Sequence, residues 1–310
     1  MQAVVYSRYG SPNVLSVTDV PEPPKRTGEV RVRVHAAALN PKDVLVRKGR
    51  MKGFVAKQFP RTPGYDIAGI LLDSAGELAA GTEVYGMIQH HRGGACAELV
   101  SLPADQIARK PSGLTMVEAA AVPLAALTAL QGLRDNLRVN AGDRVLLNGA
   151  SGGVGTFAVQ VAKALGASGL AFCSSRNVDL VRSLGADRVI DYTQDPPSSE
   201  KNVNRIFDIY GSFPWPQAKR SLARGGRYCT TIPSIASLGR TLAARVGLHR
   251  SSLVIVRSNR SDLDYLSGLI NSGQLRPVID QVFSLEESEK GHEHLETRRT
   301  CGKVVIEVAK

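Results

Sequence analysis

The stretch LLNGASGGVGTFAVQVAKALGA, residues 146–167, limits the possible folds more than any other. A short apolar run ends in four glycines within seven residues, Gly149, Gly152, Gly153 and Gly155, and a helical pattern then begins. Ala150, Gly152 and Gly155 have the spacing of G-x-G-x-x-G, with alanine in the first slot. Glycine at such a corner does two jobs. It lets the backbone come close to a phosphate, and it lets the helix pack tightly on the strand. The free N–H groups and positive dipole end of the helix then face any bound anion. The segment predicts a dinucleotide cradle built from Ser151, Gly152, Gly153 and Val154. The competing reading is a tight turn with no ligand.

The tip of the next strand discriminates between dinucleotides. An NAD-preferring site carries an acid about 20 residues on, to grip the ribose hydroxyls. Here the strand GLAFC runs into Ser174, Ser175, Arg176 and Asn177, with no acid at the tip. Hydroxyls, an amide and a guanidinium suit a ribose 2′-phosphate, so NADP(H) is the expected cofactor. Asp179 lies beyond the tip, on the following helix, as a surface or capping residue. The competing reading leaves Arg176 as a solvated loop residue.

Around this corner strands and helices alternate from about residue 115 onward. DRVLLNG, SGLAFCSS, RVIDY, RIFDIYG, RYCTTI and SSLVIVRS read as strands. VGTFAVQVAKALG, NVDLVRSLG and PQAKRSLARGG read as helices, and LTMVEAAAVPLAALTALQGLRDNL is helical with a break at Pro123. Such alternation predicts a doubly wound parallel sheet. Residues 1–100 instead hold short alternating strands separated by turns, among them QAVVYS, VLSVTDV and EVRVRVHAAAL. They predict a compact, mostly antiparallel or barrel-like domain. The last 49 residues or so contain two helices and two strands that either extend the parallel sheet or return to the first domain.

Composition sets outer limits. With 310 residues, 43% hydrophobic and 22% charged, the chain can bury two cores. No apolar run reaches a bilayer's length: the nearest, Met116 to Leu130, contains Glu118 and Pro123. The N-terminus lacks a signal pattern, so a cytoplasmic protein without a transmembrane segment is expected. The net charge of +11 comes from scattered Lys and Arg, without a nucleic-acid motif. A solvated basic surface or an anionic cofactor accounts for it; no nucleic-acid partner is expected, while peripheral membrane contact stays open. Cys96, Cys173, Cys229 and Cys301 are far apart. The pairs His90-His91 and His292/His294 splay on a strand or a helix. No zinc site is expected.

Several segments now stand together in one order: ALNPKDVLVRKG, FPRTPGYDIAG, GTEVYG, GGACAELV, PLAALTALQGL, the glycine corner, CSSRNVDLVRSLGADRVIDY and CGKVVIEV. Over nearly its whole length the chain resembles the medium-chain dehydrogenase/reductase superfamily, and within it the zinc-free quinone oxidoreductase and alkenal (oxo-ene) reductase branch. The resemblance implies an α/β protein: a GroES-like, mostly-β catalytic domain from residues 1–118 and 261–310, and a Rossmann nucleotide domain from 119–260, with the active site in the cleft. It also implies a homodimer formed along the sheet edge at SSLVIVRS.

In the metal-dependent branch a cysteine stands where this chain has Asn40 and a histidine where it has Tyr65, and both replacements are poor zinc ligands. The resemblance therefore implies reduction of a quinone or of an activated double bond in a small electrophile. It places Asn40 on the floor of the site near the nicotinamide ribose, Thr128 near the nicotinamide, and Tyr192 near the adenosine phosphate. Lys303 either reaches the cofactor or is exposed. Each has a plain structural alternative: a turn asparagine before Pro41, a helix threonine bonded to its own backbone, an aromatic strand end.

The chain departs from the pattern in two places. Leu45 replaces a tyrosine often found two residues after the matching aspartate, Asp43. That removes a phenol acid and leaves Tyr65, Lys42 or solvent as proton source; a lysine beside Asp43 is ordinarily a solvated pair. Thr82 stands where aspartate is usual, with a local turn effect expected. Two other readings remain. One is reduction of a dedicated enoyl thioester, with substrate walls from the loops RKGRMKGFVAKQFPR and PSIASLGRTLAARVGLHR. The other is an RNA- or membrane-associated nucleotide binder with little turnover.

Overall fold

The computed structural model describes residues 1–310 except 54, 56, 57, 90–92, 248, 249, 310 and the side chain of 245. The adjacent histidines at 90 and 91 lie outside the described residues, as do parts of both basic segments named as substrate walls. The chain divides into two compact units: Met1–Leu124 with Arg257–Gly273 and Pro277–Lys310, and Ala125–Val256 with Gln274–Arg276.

The second unit is built on six parallel strands. Across the sheet they run Arg188–Asp191, Ser168–Cys173, Arg144–Asn148, Val203–Asp208, Leu222–Thr230 and Ser251–Leu253. Numbered along the chain, the order is 3-2-1-4-5-6, the doubly wound Rossmann arrangement. Covered on both faces, the strands are near-continuous apolar runs rather than alternating ones. Val145, Leu146 and Leu147 are fully buried, as are Ile206 and Phe207. The helix Gly153–Ala164 buries Phe157, Ala158, Val161 and Ala162. The order reverses between Arg144–Asn148 and Val203–Asp208, and sheets of this kind bind ligands beyond the carboxyl ends of the strands at such a reversal.

Three segments of this unit differ from their sequence patterns. The helix expected over PQAKRSLARGG stops at Trp215–Ala218, and the remainder enters the strand Leu222–Thr230. Pairing of Val203 with Leu222 outweighs the helix propensity of Leu, Ala and Arg, and Gly225 and Gly226 weaken any helix there. The expected loop PSIASLGRTLAARVGLHR contains the helix Ile235–Arg245. Its start is a capping box: Ser234 Oγ accepts the Ser237 N–H at 3.0 Å, and Ser237 Oγ accepts the Ser234 N–H at 2.8 Å. Within SSLVIVRS only Ser251–Leu253 is strand, at the end of the sheet.

In the first unit the eleven-residue strand Glu29–Leu39 pairs antiparallel with Asp66–Leu71, Leu99–Pro103 and Lys303–Glu307. Val30, Val32 and Val34 point into the core while Arg31 and Arg33 alternate outward, as a half-buried strand requires. The sheet continues through Glu83–Met87 to Ile107–Arg109 on one side and to Ile279–Ser284 on the other. The C-terminal segment therefore returns to the first unit's sheet. Among the described residues no helix is long and apolar enough to cross a membrane.

The glycine corner shows two distinct demands on backbone. A Cβ on Gly155 would lie 2.1 Å from the Gly149 carbonyl oxygen, so the helix could not approach the strand. A Cβ on Gly152 would meet only that same oxygen, at 3.6 Å. Gly155→Ala should therefore cost about 2–3 kcal/mol in urea unfolding. Gly152→Ala, at φ −78°, should stay within about 1 kcal/mol of the parent. Equal losses would contradict this packing.

Candidate active site

The strand Arg144–Asn148 ends at the corner. Gly149, at φ +92°, makes the turn, one residue before the alanine in the first slot of the motif. Gly149 and Ala150 both donate to the Phe172 carbonyl, at 3.2 and 3.0 Å, which ties the corner to the neighbouring strand. Gly152 is the N-cap of the helix and no side chain caps the first turn. The N–H groups of Gly153 and Val154 thus occupy a positive helix end beside the open space at Gly152. These features fit a bound pyrophosphate.

The strand tip reaches the same place. Asn177 Nδ2 donates to Ser151 Oγ at 2.9 Å. Ser174 begins the 3₁₀ turn Ser175–Asn177, Arg176 is exposed, and Tyr192 is 51% exposed with its N–H bonded to the Cys173 carbonyl at 3.1 Å. Asp179 lies on the helix Val178–Ser183, paired with Arg182. Thr128 is buried in the helix Pro123–Gln131.

Sequence reasoning missed two features here. Asp191, at the end of the third strand, accepts from Thr193, and hydrogen bonds from Thr193 and Ser175 hold its carboxyl below the usual range. An acid is thus brought to the SSRN tip from a different strand; the only signal was the aspartate in RVIDY. At the point of strand reversal, Asn148 Nδ2 donates to Asp208 Oδ1 at 2.7 Å and to Ser212 Oγ at 2.9 Å. Asp208 also accepts from Tyr228 Oη at 3.0 Å and from the Gly211 N–H at 2.9 Å. The buried Asp208 ties together the carboxyl ends of the strands at the reversal.

The first unit holds a second cluster. Asn40 ends the strand Glu29–Leu39, with the extended backbone that precedes proline, and Pro41 opens the helix Pro41–Arg47. Asp43, one turn in, accepts the Asn40 N–H at 2.9 Å and the Gly64 N–H at 2.7 Å. The Asn40 amide donates to Asp66 Oδ2 at 2.9 Å and to the Ala38 carbonyl at 3.3 Å. Its oxygen accepts from Lys303 Nζ at 2.6 Å, and Lys303 pairs with Asp66 at 3.2 Å. Asp66 Oδ1 takes the Leu124 N–H at 2.7 Å. Burial raises the carboxyls of both acids, Asp43 to about 6 and Asp66 against the pull of Lys303.

These positions correct two expectations. Lys303 is 3% exposed and engaged with Asn40 and Asp66, so it is not a surface lysine. Lys42 is not a solvated partner of Asp43. It is half-buried, with Nζ 3.7 Å from the Tyr65 ring centroid, while both Asp43 oxygens accept backbone N–H groups. Burial lowers the Lys42 ammonium to about 8 against the attraction of Asp43 and Asp66. Tyr65 is itself buried, which raises its phenol, and Leu45 on the same helix is half-buried.

A zinc ion does not fit this cluster. The Asn40 amide is fully engaged and Tyr65 turns its ring to a cation. Among the described residues no three His, Cys, Asp or Glu side chains gather to hold a metal. His292 Nδ1 faces Arg47 at 3.4 Å, while His294 bonds Asp280 at 2.5 Å, so this pair splays. Cys96, Cys173 and Cys229 are buried free thiols.

Removing one member of a buried ion pair leaves the other charge uncompensated. Lys303→Met should cost about 3–5 kcal/mol in unfolding. The double variant Asp66→Asn/Lys303→Met should recover more than half of that loss, because no lone charge remains. A double variant no more stable than the single one would show that the pair's charge is not what holds the site.

Residues 26–112 match the alcohol dehydrogenase GroES-like domain family, and residues 184–306 the zinc-binding dehydrogenase family. The chain is 34% identical to 2-methylene-furan-3-one reductase of Solanum lycopersicum, over 99% of this chain and 79% of that protein. It is 32% identical to the human mitochondrial NAD(P)H oxidoreductase RTN4IP1, over 99% of this chain and 89% of that one. The solved quinone oxidoreductase of Coxiella burnetii superposes with a TM-score of 0.88 at 31% identity, covering 99% of each chain. With two such relatives along its whole length, a GroES-like match in the first unit and a glycine corner on a Rossmann sheet in the second, the chain belongs to the medium-chain dehydrogenase/reductase superfamily, in its quinone oxidoreductase and alkenal reductase branch, and is an NAD(P)H oxidoreductase.

Proposed function

We propose that the protein is an NADPH-dependent, zinc-independent reductase of quinones or of the activated double bonds of enones and alkenals. The single observation that carries the reading is the uncapped helix start beside open space at Gly152, with the SSRN tip bonded to it through Asn177 and Ser151. A bound reduced nicotinamide supplies hydride to an electron-poor carbon. The chain's own groups bind and orient. The Ser151–Val154 backbone holds the pyrophosphate. Ser174, Arg176 and Asn177 take the 2′-phosphate, and Tyr192 packs near it. Thr128 and Asn40 serve the nicotinamide end, and Tyr65 borders the acceptor. Likeness to a 2-methylene-furan-3-one reductase supports an enone-type acceptor. Pairing of two copies along the edge strand Ser251–Leu253 belongs to the same reading.

The test is oxidation of NADPH and of NADH against a quinone, a 2-alkenal, a cyclic enone and an enoyl thioester, by the parent and by Arg176→Ala. Turnover with NADPH is expected. Arg176→Ala should raise the KM for NADPH about tenfold or more and leave that for NADH within about twofold, since a charge-assisted bond to phosphate is lost. Equal losses would make Arg176 structural and leave Asp191 as the candidate ribose contact at the strand tip. A folded protein that oxidises NADPH with no acceptor contradicts the reading.

A further inference from the structure

The second unit carries a basic row away from the glycine corner. Arg205 and Arg227 stand in register on the adjacent parallel strands Val203–Asp208 and Leu222–Thr230, so their side chains leave the same face of the sheet. Tyr228 pairs with Ser251, and its N–H donates to the Arg250 carbonyl at 2.8 Å, which sets Arg250 beside Arg227 at the start of the next strand. Adjacent strands lie about 4.8 Å apart, so the three Cα atoms span about 10 Å. Arg205 pairs with Val145, three residues before the carboxyl ends where Asn148 meets Asp208. The row therefore lies toward the amino ends of these strands.

A fourth arginine comes from the helical segment above this face. The π-helical stretch Gly132–Leu137 packs closely here: a Cβ on Gly132 would lie 2.6 Å from the Phe207 ring, and Phe207 shares its face with Arg205. Asn136 Nδ2 donates to Ser252 Oγ at 3.2 Å. Arg138 ends the stretch at φ +53°, a left-handed conformation that a residue with a side chain rarely adopts. Its carbonyl accepts from Arg205 Nε at 3.3 Å and from Nη2 at 3.2 Å. Of the four arginines only Arg205 has a carboxylate partner among the described residues, Asp143 at 3.0 Å. Arg227 is half-buried, and its guanidinium makes no hydrogen bond or ion pair among the described residues. Burial, and then the charges of Arg138, Arg205 and Arg250, push it below the usual range. Other arginines of this unit find acids: Arg144 and Arg188 share Glu200, at 3.4 and 2.8 Å, and Arg182 pairs with Asp179. Arg227 is surrounded by like charge instead.

We propose that this row is a binding site for a soluble polyphosphate anion, with Arg227 at its centre and Arg138, Arg205 and Arg250 around it. The site is additional to the cofactor site and does not depend on the reductase reading. Guanidinium forks match phosphate oxygens and bond them two at a time. Like charges held together repel, and a polyvalent anion relieves that repulsion more than a single charge does. A linear di- or triphosphate also suits a row about 10 Å wide better than one compact ion. A lipid surface fits less well. It would meet the exposed Arg138 and Arg250, whereas the Arg205 side chain is 13% exposed and Arg227 is half-buried. A thin soluble anion suits groups at that depth.

The test is calorimetric titration of the full chain with inorganic tripolyphosphate, without NADPH and with NADPH in excess, for the parent, Arg227→Gln, Arg250→Gln and Arg176→Ala. With NADPH present the parent should bind one tripolyphosphate, at a Kd of about 0.1 mM or tighter in dilute buffer, and orthophosphate about tenfold more weakly or worse. Affinity should fall as salt is added. Arg227→Gln should lose about tenfold or more and Arg250→Gln about threefold or more, while Arg176→Ala stays within about twofold. Parent binding that NADPH abolishes would place the anion at the glycine corner and overturn the proposal. So would a parent that binds no tripolyphosphate, that binds orthophosphate as tightly, or that binds phosphatidic acid vesicles in its stead. An Arg227→Gln protein that binds tripolyphosphate as tightly as the parent overturns it too. If Arg227→Gln fails to fold, Arg250→Gln, at an exposed position, decides by the same comparison.

Discussion

Much of the first unit turns on one buried ion pair. Lys303 and Asp66, 237 positions apart, meet at 3.2 Å with almost no exposure, and Asn40 bonds both of them. Two charges so deep in the protein need a closed set of partners, or the cost of removing them from water exceeds their attraction. The partners come from the end of Glu29–Leu39, the start of Asp66–Leu71, the start of Lys303–Glu307 and the backbone of Leu124. The pair thus pins the register in which Leu39 meets Val304 and Ala38 meets Asp66. That register fixes where Pro41 starts its helix, and so where Lys42 and Asp43 lie relative to Tyr65.

The second unit depends on a backbone constraint instead of a charge. Gly155 is required by the protein's own packing, whereas Gly152 leaves space the protein does not fill. One glycine builds the fold and the other leaves open space at the helix start. Beside them, Asn148 and Asp208 lock the carboxyl ends of the two strands where the sheet order reverses. The bonded strand ends and the open helix end are complementary: phosphate binding needs N–H groups that are already aimed and not otherwise engaged.

Patterns of short range were legible from the amino acids. The corner, the alternation that forms the parallel sheet, the antiparallel strands of the first unit, and the helix holding Asp179 all follow from local periodicity and turn chemistry. The residues singled out as Ser151 and Asn177 prove to touch. What could not be read depends on distant pairing. LARGG follows a helical pattern but forms strand because Val203 pairs with Leu222. PSIASLGRTLAAR reads as loop because serine and glycine are frequent, yet its capping box and the Leu and Ala that follow make it helix. Asp191 reaches Ser175 across two parallel strands, beyond any spacing rule. Lys303 in CGKVVIEV looks like an ordinary strand lysine until Asp66 and Asn40 surround it. Lys42 looks solvated until the Tyr65 ring lies beneath it.

We propose that hydride passes directly from NADPH to the acceptor carbon. The most direct test of that claim is the fate of deuterium from NADPH labelled at the nicotinamide C4, using an enone acceptor in ordinary water. The account predicts one deuterium at the β-carbon of the product and ordinary hydrogen at the α-carbon. A product whose β-hydrogen comes from solvent would contradict it.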